Sequence, residues 1–244
     1  MSMGPKCPEE AGEMKTTLRI LKHSILLIIA GAALTNTAIA QGDVDEPRTN
    51  GMRAEFWLAA TSWSKLGDLE PVAGGTFDSV GYGIGGSVHW PWKSTPNASF
   101  MVGVEGAILA TDSNVPVLYD DLVARDGYLA ASIKWQFGKT RSLSLDTGLA
   151  YHLLDIAQIE MYYNSYSELQ SWEEGAFGPF VGMTWDVGTA NPRSDSGLTL
   201  GLRTHFVDFG TVRDEDVFIR PVLGSGAGDL TGPIHALQIG YRWR

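Results

Sequence analysis

The chain has 244 residues, a formal net charge of −10 and a mean hydropathy of −0.04. An acidic balance of this size argues against nucleic acid as a partner, because such partners reward basic stripes. A helical membrane bundle is excluded too, since no segment reaches the ~20 consecutive apolar residues that a spanning helix needs. Cys7 is the single cysteine, so neither a disulfide framework nor thiolate chemistry is expected.

Residues 1–40 read as a secretory signal peptide. Lys15, Arg19 and Lys22 form a basic start, the stretch from Ile25 to Leu34 is apolar, and Ala38-Ile39-Ala40 is a small-x-small cleavage site. The residues ahead of Met14 add nothing to this pattern, which makes Met14 an alternative start. Cleavage before Gln41 would remove Cys7, and the missing cysteine at that point argues against lipoprotein processing. Residues 41–50 then form a polar periplasmic leader, and 51–244 form the single folded domain.

Eight segments of that domain alternate apolar and polar residues with period two, the signature of strands with two different faces. They cover about 51–62, 77–92, 98–110, 125–137, 142–155, 176–187, 198–209 and 232–243. Each is near the ~9–11 residues that a tilted strand needs to cross a membrane. The faces are legible strand by strand. Met52, Phe56 and Leu58 oppose Arg53, Glu55 and Trp57. Phe100, Val102 and Val104 oppose Glu105. Leu129, Ile133 and Trp135 oppose Tyr128, Ser132 and Lys134. Leu145, Leu149 and Leu153 oppose Asp146 and His152. Val181, Met183 and Trp185 oppose Asp186, and Leu200, Leu202 and Phe206 oppose Arg203 and His205. In the last segment Leu237, Ile239, Tyr241 and Trp243 oppose Gln238 and Arg242.

Connections alternate in length. Short turns follow Trp92, Trp135 and Trp185, and longer stretches fill about 63–76, 111–124, 156–175 and 210–231. Short periplasmic turns with long extracellular loops are the asymmetry of transmembrane barrels, which also carry aromatic girdles at the interfaces. Trp90, Trp92, Trp135, Phe137, Trp185, Tyr241 and Trp243 form the expected girdle; an indole suits that level with its apolar body and its N–H donor. The fold class expected is therefore all-β, an eight-stranded antiparallel up-and-down transmembrane β-barrel. A short extension at Asp214 to Leu223 does not raise the strand count, because Pro221 interrupts it.

The last strand, Leu237-x-Ile239-x-Tyr241-x-Trp243, resembles the C-terminal signal of outer-membrane barrels, with Trp in place of the usual Phe and Arg244 added. The pattern over residues 51–243 resembles the small eight-stranded group that includes the OmpA transmembrane domain, OmpX and the Opa-like proteins. That resemblance implies a Gram-negative outer-membrane location. It also implies the outer-membrane lipids and lipopolysaccharide as surroundings, and the barrel-assembly machinery as a partner of the C-terminal strand.

A barrel of eight strands is just wide enough for its side chains to fill. The inward set contains Arg53, Lys134, Arg203 and Arg242 against Glu55, Glu105, Asp146 and Asp186, a balanced interior ion network. Register across the 138–141 turn brings Lys134 beside Asp146, and closure of the barrel brings Arg242 beside Glu55. Gly81 to Gly86 matches G-x-G-x-x-G, but a strand rather than a helix follows, so the glycines are read as relief of crowding and not as a nucleotide loop. His152 and His205 face inward, where Asp146 or Glu105 could partner them. Lipid-A deacylase barrels use a His-x-Ser pair on one strand, which residues 41–244 lack. No enzyme, cofactor or metal site is therefore expected. The acidic and aromatic loops, with Asp120-Asp121, Glu173-Glu174, Tyr162-Tyr163, Tyr166 and Trp172, could meet an unidentified surface ligand. The function expected is structural and surface-interacting; a narrow porin-like channel and, less favoured, a lipid-A-modifying enzyme are the alternatives.

Overall fold

The computed structural model describes residues 51–63, 65–66, 76–77, 80–95, 97–115, 120–137, 142–162, 165–187, 196–213 and 227–243. The expected signal peptide, the leader 41–50, the turn 138–141, most of the 188–197 turn and the 214–223 extension lie outside them. The elements are β1 (Arg53–Trp63), β2 (Thr76–Phe77), β3 (Val80–Thr95), β4 (Ala98–Val115), β5 (Asp120–Phe137), β6 (Leu143–Tyr162), β7 (Ser165–Val187), β8 (Ser196–Arg213) and β9 (Ala227–Trp243). β2 is a two-residue strand beside the far end of β4. The other eight pair antiparallel, each with its neighbours, and β1 closes the ring on β9 from Ala54↔Trp243 to Trp63↔Ile234.

Alternation explains the wall. Along β1, β8 and β9 nearly every second residue is buried and the ones between are exposed. The polarity is inverted relative to a water-soluble barrel. Outside stand Phe56, Leu58, Ile84, Val104, Leu129, Leu149, Val181, Leu202, Leu237 and Ile239, all substantially exposed. On β6 the outward row runs from Leu143 to Leu153, ten steps of about 3.3 Å. At a tilt near 40° that row spans about 25 Å, the height of the apolar band of a membrane barrel. Above it the outward positions turn charged: Arg125 pairs with Asp155 at 3.4 Å, and Glu173 stands opposite Asp155 on β7.

The strands outrun their sequence-based bounds at this end. The stretches 111–124 and 156–175, expected as loops, are mostly ladder: β4 and β5 stay paired to Val115↔Asp120, and β6 and β7 to Tyr162↔Ser165. Asp120, Asp121, Glu173 and Glu174 thus belong to strands. Period-two hydrophobicity fades along these stretches of sequence, while cross-strand pairing continues.

Irregularities sit where geometry needs them. The β3–β4 register shifts between Pro91 and Lys93, placing Trp92 in a bulge. Between Asp208 and Thr211 β8 shifts against β9, and Gly210 takes φ 76°, a left-handed conformation that favours glycine. The β7–β8 ladder is the shortest between long strands and ends at Phe180↔His205; the next β7 residue, Pro179, has no N–H to donate. Gly85 in the glycine-rich stretch lies on β3, where a Cβ would sit 2.4 Å from the Trp57 ring.

Candidate functional site

The lumen is the candidate site, and it has two layers. Toward the end marked by Trp243 and the 95–98 turn it is ionic. Arg242, Asp186, Arg53, Glu55, Lys134, Asp146, Arg203 and Glu105 follow one another as a chain of contacts in which the sign alternates at every link. Arg242 Nε lies 2.8 Å from Asp186 Oδ2. Arg53 holds the same carboxylate with two donors, Nη1 at 3.1 Å and Nη2 at 2.7 Å, and its Nε donates to Glu55. Lys134 Nζ bridges Glu55 Oε2 at 2.7 Å and Asp146 Oδ1 at 3.5 Å. Arg203 spans Asp146, at 3.3 Å, and Glu105.

The eight charges come from β1, β4, β5, β6, β7, β8 and β9. β3 joins through Ser87, which donates to Glu55 at 3.5 Å, and through His89, which bonds Ser132 of β5 at 2.9 Å. All eight long strands are therefore laced together across the bore. Each charge in the chain is buried to within a few per cent. At an effective dielectric near 20, a contact at 4 Å is worth about 4 kcal/mol, against a desolvation penalty of several kcal/mol per ion. An alternating chain offsets that penalty because its interior members face two opposite charges.

All eight inward charges expected from alternation stand in this layer. Lys134 and Asp146 are direct cross-strand partners. Arg242 and Glu55 are also opposite in register; Arg242 pairs with Asp186, and Glu55 with Arg53 and Lys134. The girdle residues lie on the outer wall at the same end. Trp90, Trp92, Trp135, Trp185, Tyr241 and Trp243 are exposed, and Phe137 is half-buried against Trp135 at 4.1 Å between ring centroids.

The opposite layer of the lumen is apolar. Trp57, Leu109, Leu154, Ile156, Phe180, Phe209, Val212, Leu230 and Ile234 form one buried cluster, with Trp172 packed against it. A cavity of about 20 Å³ remains beside Trp63, Leu66 and Phe209, room for about one water. Between the layers lies a cluster that the sequence argument assembled only in part. His152 Nδ1 is 2.7 Å from Asp126 Oδ2, and its Nε2 is 3.1 Å from His205 Nδ1. Tyr128 packs on both rings and donates to Glu105 at 3.3 Å. Phe180 lies under Arg203, 5.1 Å from its guanidinium carbon.

The partner of His152 is thus Asp126, not Asp146 or Glu105 as expected. Asp126 and His89 were both accessible to the parity argument, since Asp126 shares the phase of Tyr128 and His89 the opposite phase from Trp90. Every ring and carboxylate in this cluster is enclosed. Among the described residues, no group of three or more His, Cys, Asp or Glu side chains is placed to hold a metal ion.

No family model matches the chain, and no curated protein matches it. Solved structures similar to it include Neisserial surface protein A, at 13% identity over 79% of this chain and 94% of that one with a TM-score of 0.38. Ail, the attachment invasion locus protein of Yersinia pestis, is 10% identical over 79% and 96% with a TM-score of 0.42. The outer membrane protein OprG of Pseudomonas aeruginosa is 10% identical over 79% and 95%, also with a TM-score of 0.42. The architecture rests on the closed ladder itself: an eight-stranded antiparallel up-and-down β-barrel, apolar outside and ionic within, of the membrane-spanning type.

Proposed function

We propose that this chain is a Gram-negative outer-membrane β-barrel with a closed lumen, acting as a non-enzymatic structural and surface-interaction protein. The observation that carries this reading is the alternating chain of eight charges across the bore, capped by an apolar plug. An ion entering would have to part buried ion pairs and then cross a layer lined by Trp57, Leu154 and Phe180. The strands that continue past Arg125 and Asp155 support the surface role, because the β6–β7 hairpin lifts its far end clear of the apolar band. Outer-membrane lipids and lipopolysaccharide surround the belt, and the assembly machinery engages β9.

The test is electrical. Full-length protein, refolded and verified by its heat-modifiable gel shift, is added to planar bilayers at about 0.15 M salt, near physiological ionic strength. Silence is expected. Discrete, reproducible steps from folded protein would overturn the closed lumen and favour a narrow channel.

A further inference from the structure

Among the described residues, the outer wall carries a polar notch that neither the lumen network nor the girdle explains. Ser62 on β1, His235 on β9 and Thr204 on β8 stand side by side. His235 is the register partner of Ser62 on one side and of Thr204 on the other. Directly opposed residues hold their Cβ atoms about 4.5–5.5 Å apart, so the row spans about 10 Å of wall. All three point outward, with Ser62 and His235 exposed and Thr204 half-buried.

Among the described residues, apolar side chains flank the row toward the Trp243 end, at both its ends, and beyond it on β8 and β9. Ala60, Leu237 and Leu202 lie one step toward the Trp243 end, and Phe206 and Pro233 one step beyond it. Val80 flanks Ser62, and Val181 flanks Thr204. On β8 and β9 one apolar row, Phe206 and Pro233, separates the notch from the polar rim, where Thr231 donates to Asp208. His235 lies eight residues from Trp243, about 20 Å up a belt of about 25 Å. That depth is the outer third, where acyl chains of the outward-facing leaflet meet their ester and amide linkages.

Polar side chains facing lipid are costly and mark function by default. Here the cost is only partly met within the protein. Thr204 Oγ1 and His235 Nδ1 share a bond of 3.0 Å. Among the described residues no partner is recorded for His235 Nε2 or for the Ser62 hydroxyl. The remaining groups can donate and accept side by side, which matches an ester or amide carbonyl next to a hydroxyl.

We propose that Ser62, His235 and Thr204 form a binding notch for the ester- and hydroxyl-bearing linkage region of an acylated glycolipid of the outer leaflet, of lipid A type. This rests on the membrane-barrel reading above. The notch holds the linkage region by hydrogen bonds while Leu202, Leu237 and Phe206 contact the chains. It gives the β8–β9–β1 sector a fixed lipid.

The experiment compares the full chain with Ser62→Ala, Thr204→Val and His235→Leu in nanodiscs. One set contains phosphatidylcholine alone; the other contains phosphatidylcholine doped with hexa-acyl lipid A. Native mass spectrometry counts lipids retained as the disc is stripped. The wild type is expected to keep one lipid A, and the triple variant to bind it about tenfold more weakly. Retention of phosphatidylcholine should not differ between them. Equal lipid A retention by both proteins overturns the proposal, and so does equal retention of either lipid by the wild type. Since each change makes the lipid-facing wall more apolar, the variants should fold at least as well as the parent, and the heat-modifiable shift checks this. If the wild type fails to enter the discs as a folded barrel, it is the membrane reading that fails.

Discussion

Lys134 gives the sharpest test of the ion chain, because it is fully buried and sits between two carboxylates. Lys134→Met keeps the length of the side chain and removes the charge. Glu55 then retains Arg53, and Asp146 retains Arg203, but three cations face four anions, all of them buried. Removing one member of a buried pair costs about 3–5 kcal/mol, because its partner is left uncompensated. Asp146→Asn alone leaves the opposite imbalance. The double variant Lys134→Met, Asp146→Asn leaves Arg242, Arg53 and Arg203 against Asp186, Glu55 and Glu105, which is neutral again. The two losses should therefore be non-additive, with the double variant recovering about 2 kcal/mol of their sum. Urea unfolding in phospholipid vesicles, followed by tryptophan fluorescence and by the heat-modifiable shift, measures all four proteins. Simple additivity, or a Lys134→Met effect within about 0.5 kcal/mol of zero, would refute the alternating chain as the organiser of the lumen.

Leu149 is exposed in the middle of the β6 outer row, so Leu149→Arg should cost about 2–4 kcal/mol in vesicles, whereas Leu143→Arg, at the girdle end, should cost about 0–1 kcal/mol; equal costs would remove the membrane from the argument. A Cβ on Gly148 would lie 2.2 Å from the Ala131 carbonyl oxygen and 2.7 Å from Phe180, so Gly148→Ala should destabilise by about 1–3 kcal/mol. Gly127 meets nothing within 4 Å, and Gly127→Ala should unfold at the parent's urea midpoint. Leu154→Ala opens the plug beside its small cavity and should cost about 2–5 kcal/mol, read in the same titration.

The wall and the ionic layer were legible because a strand exposes its face assignment in every second residue. Arg53, Glu55, Lys134 and Asp146 each sit in clear phase with apolar neighbours of the opposite parity. The plug was not legible. Ala130, Ala150, Leu154 and Ile156 face inward, but apolar residues on both faces erase the alternation that would reveal them. The strand ends were lost for a related reason, since the sequence from Gln158 to Gln170 does not alternate apolar and polar residues with period two. The notch was hidden because Ser62, Thr204 and His235 are distant in sequence and meet only through the closure of β1 on β9 and the β8–β9 ladder.

One measurement reaches the central claim, lipid outside and a filled bore inside, in a single strand. Single cysteines placed along 143–153 of β6 in a Cys7→Ser background carry nitroxide labels, and their collisions with oxygen and with a water-soluble nickel complex are recorded in vesicles. Labels at Leu145, Leu149 and Leu153 should meet oxygen strongly and nickel weakly. Labels at Ser144 and Ala150 should meet neither. Nickel reaching Ser144 or Ala150 in folded protein would mean a water-filled lumen, and nickel reaching Leu149 would mean that this wall does not face lipid.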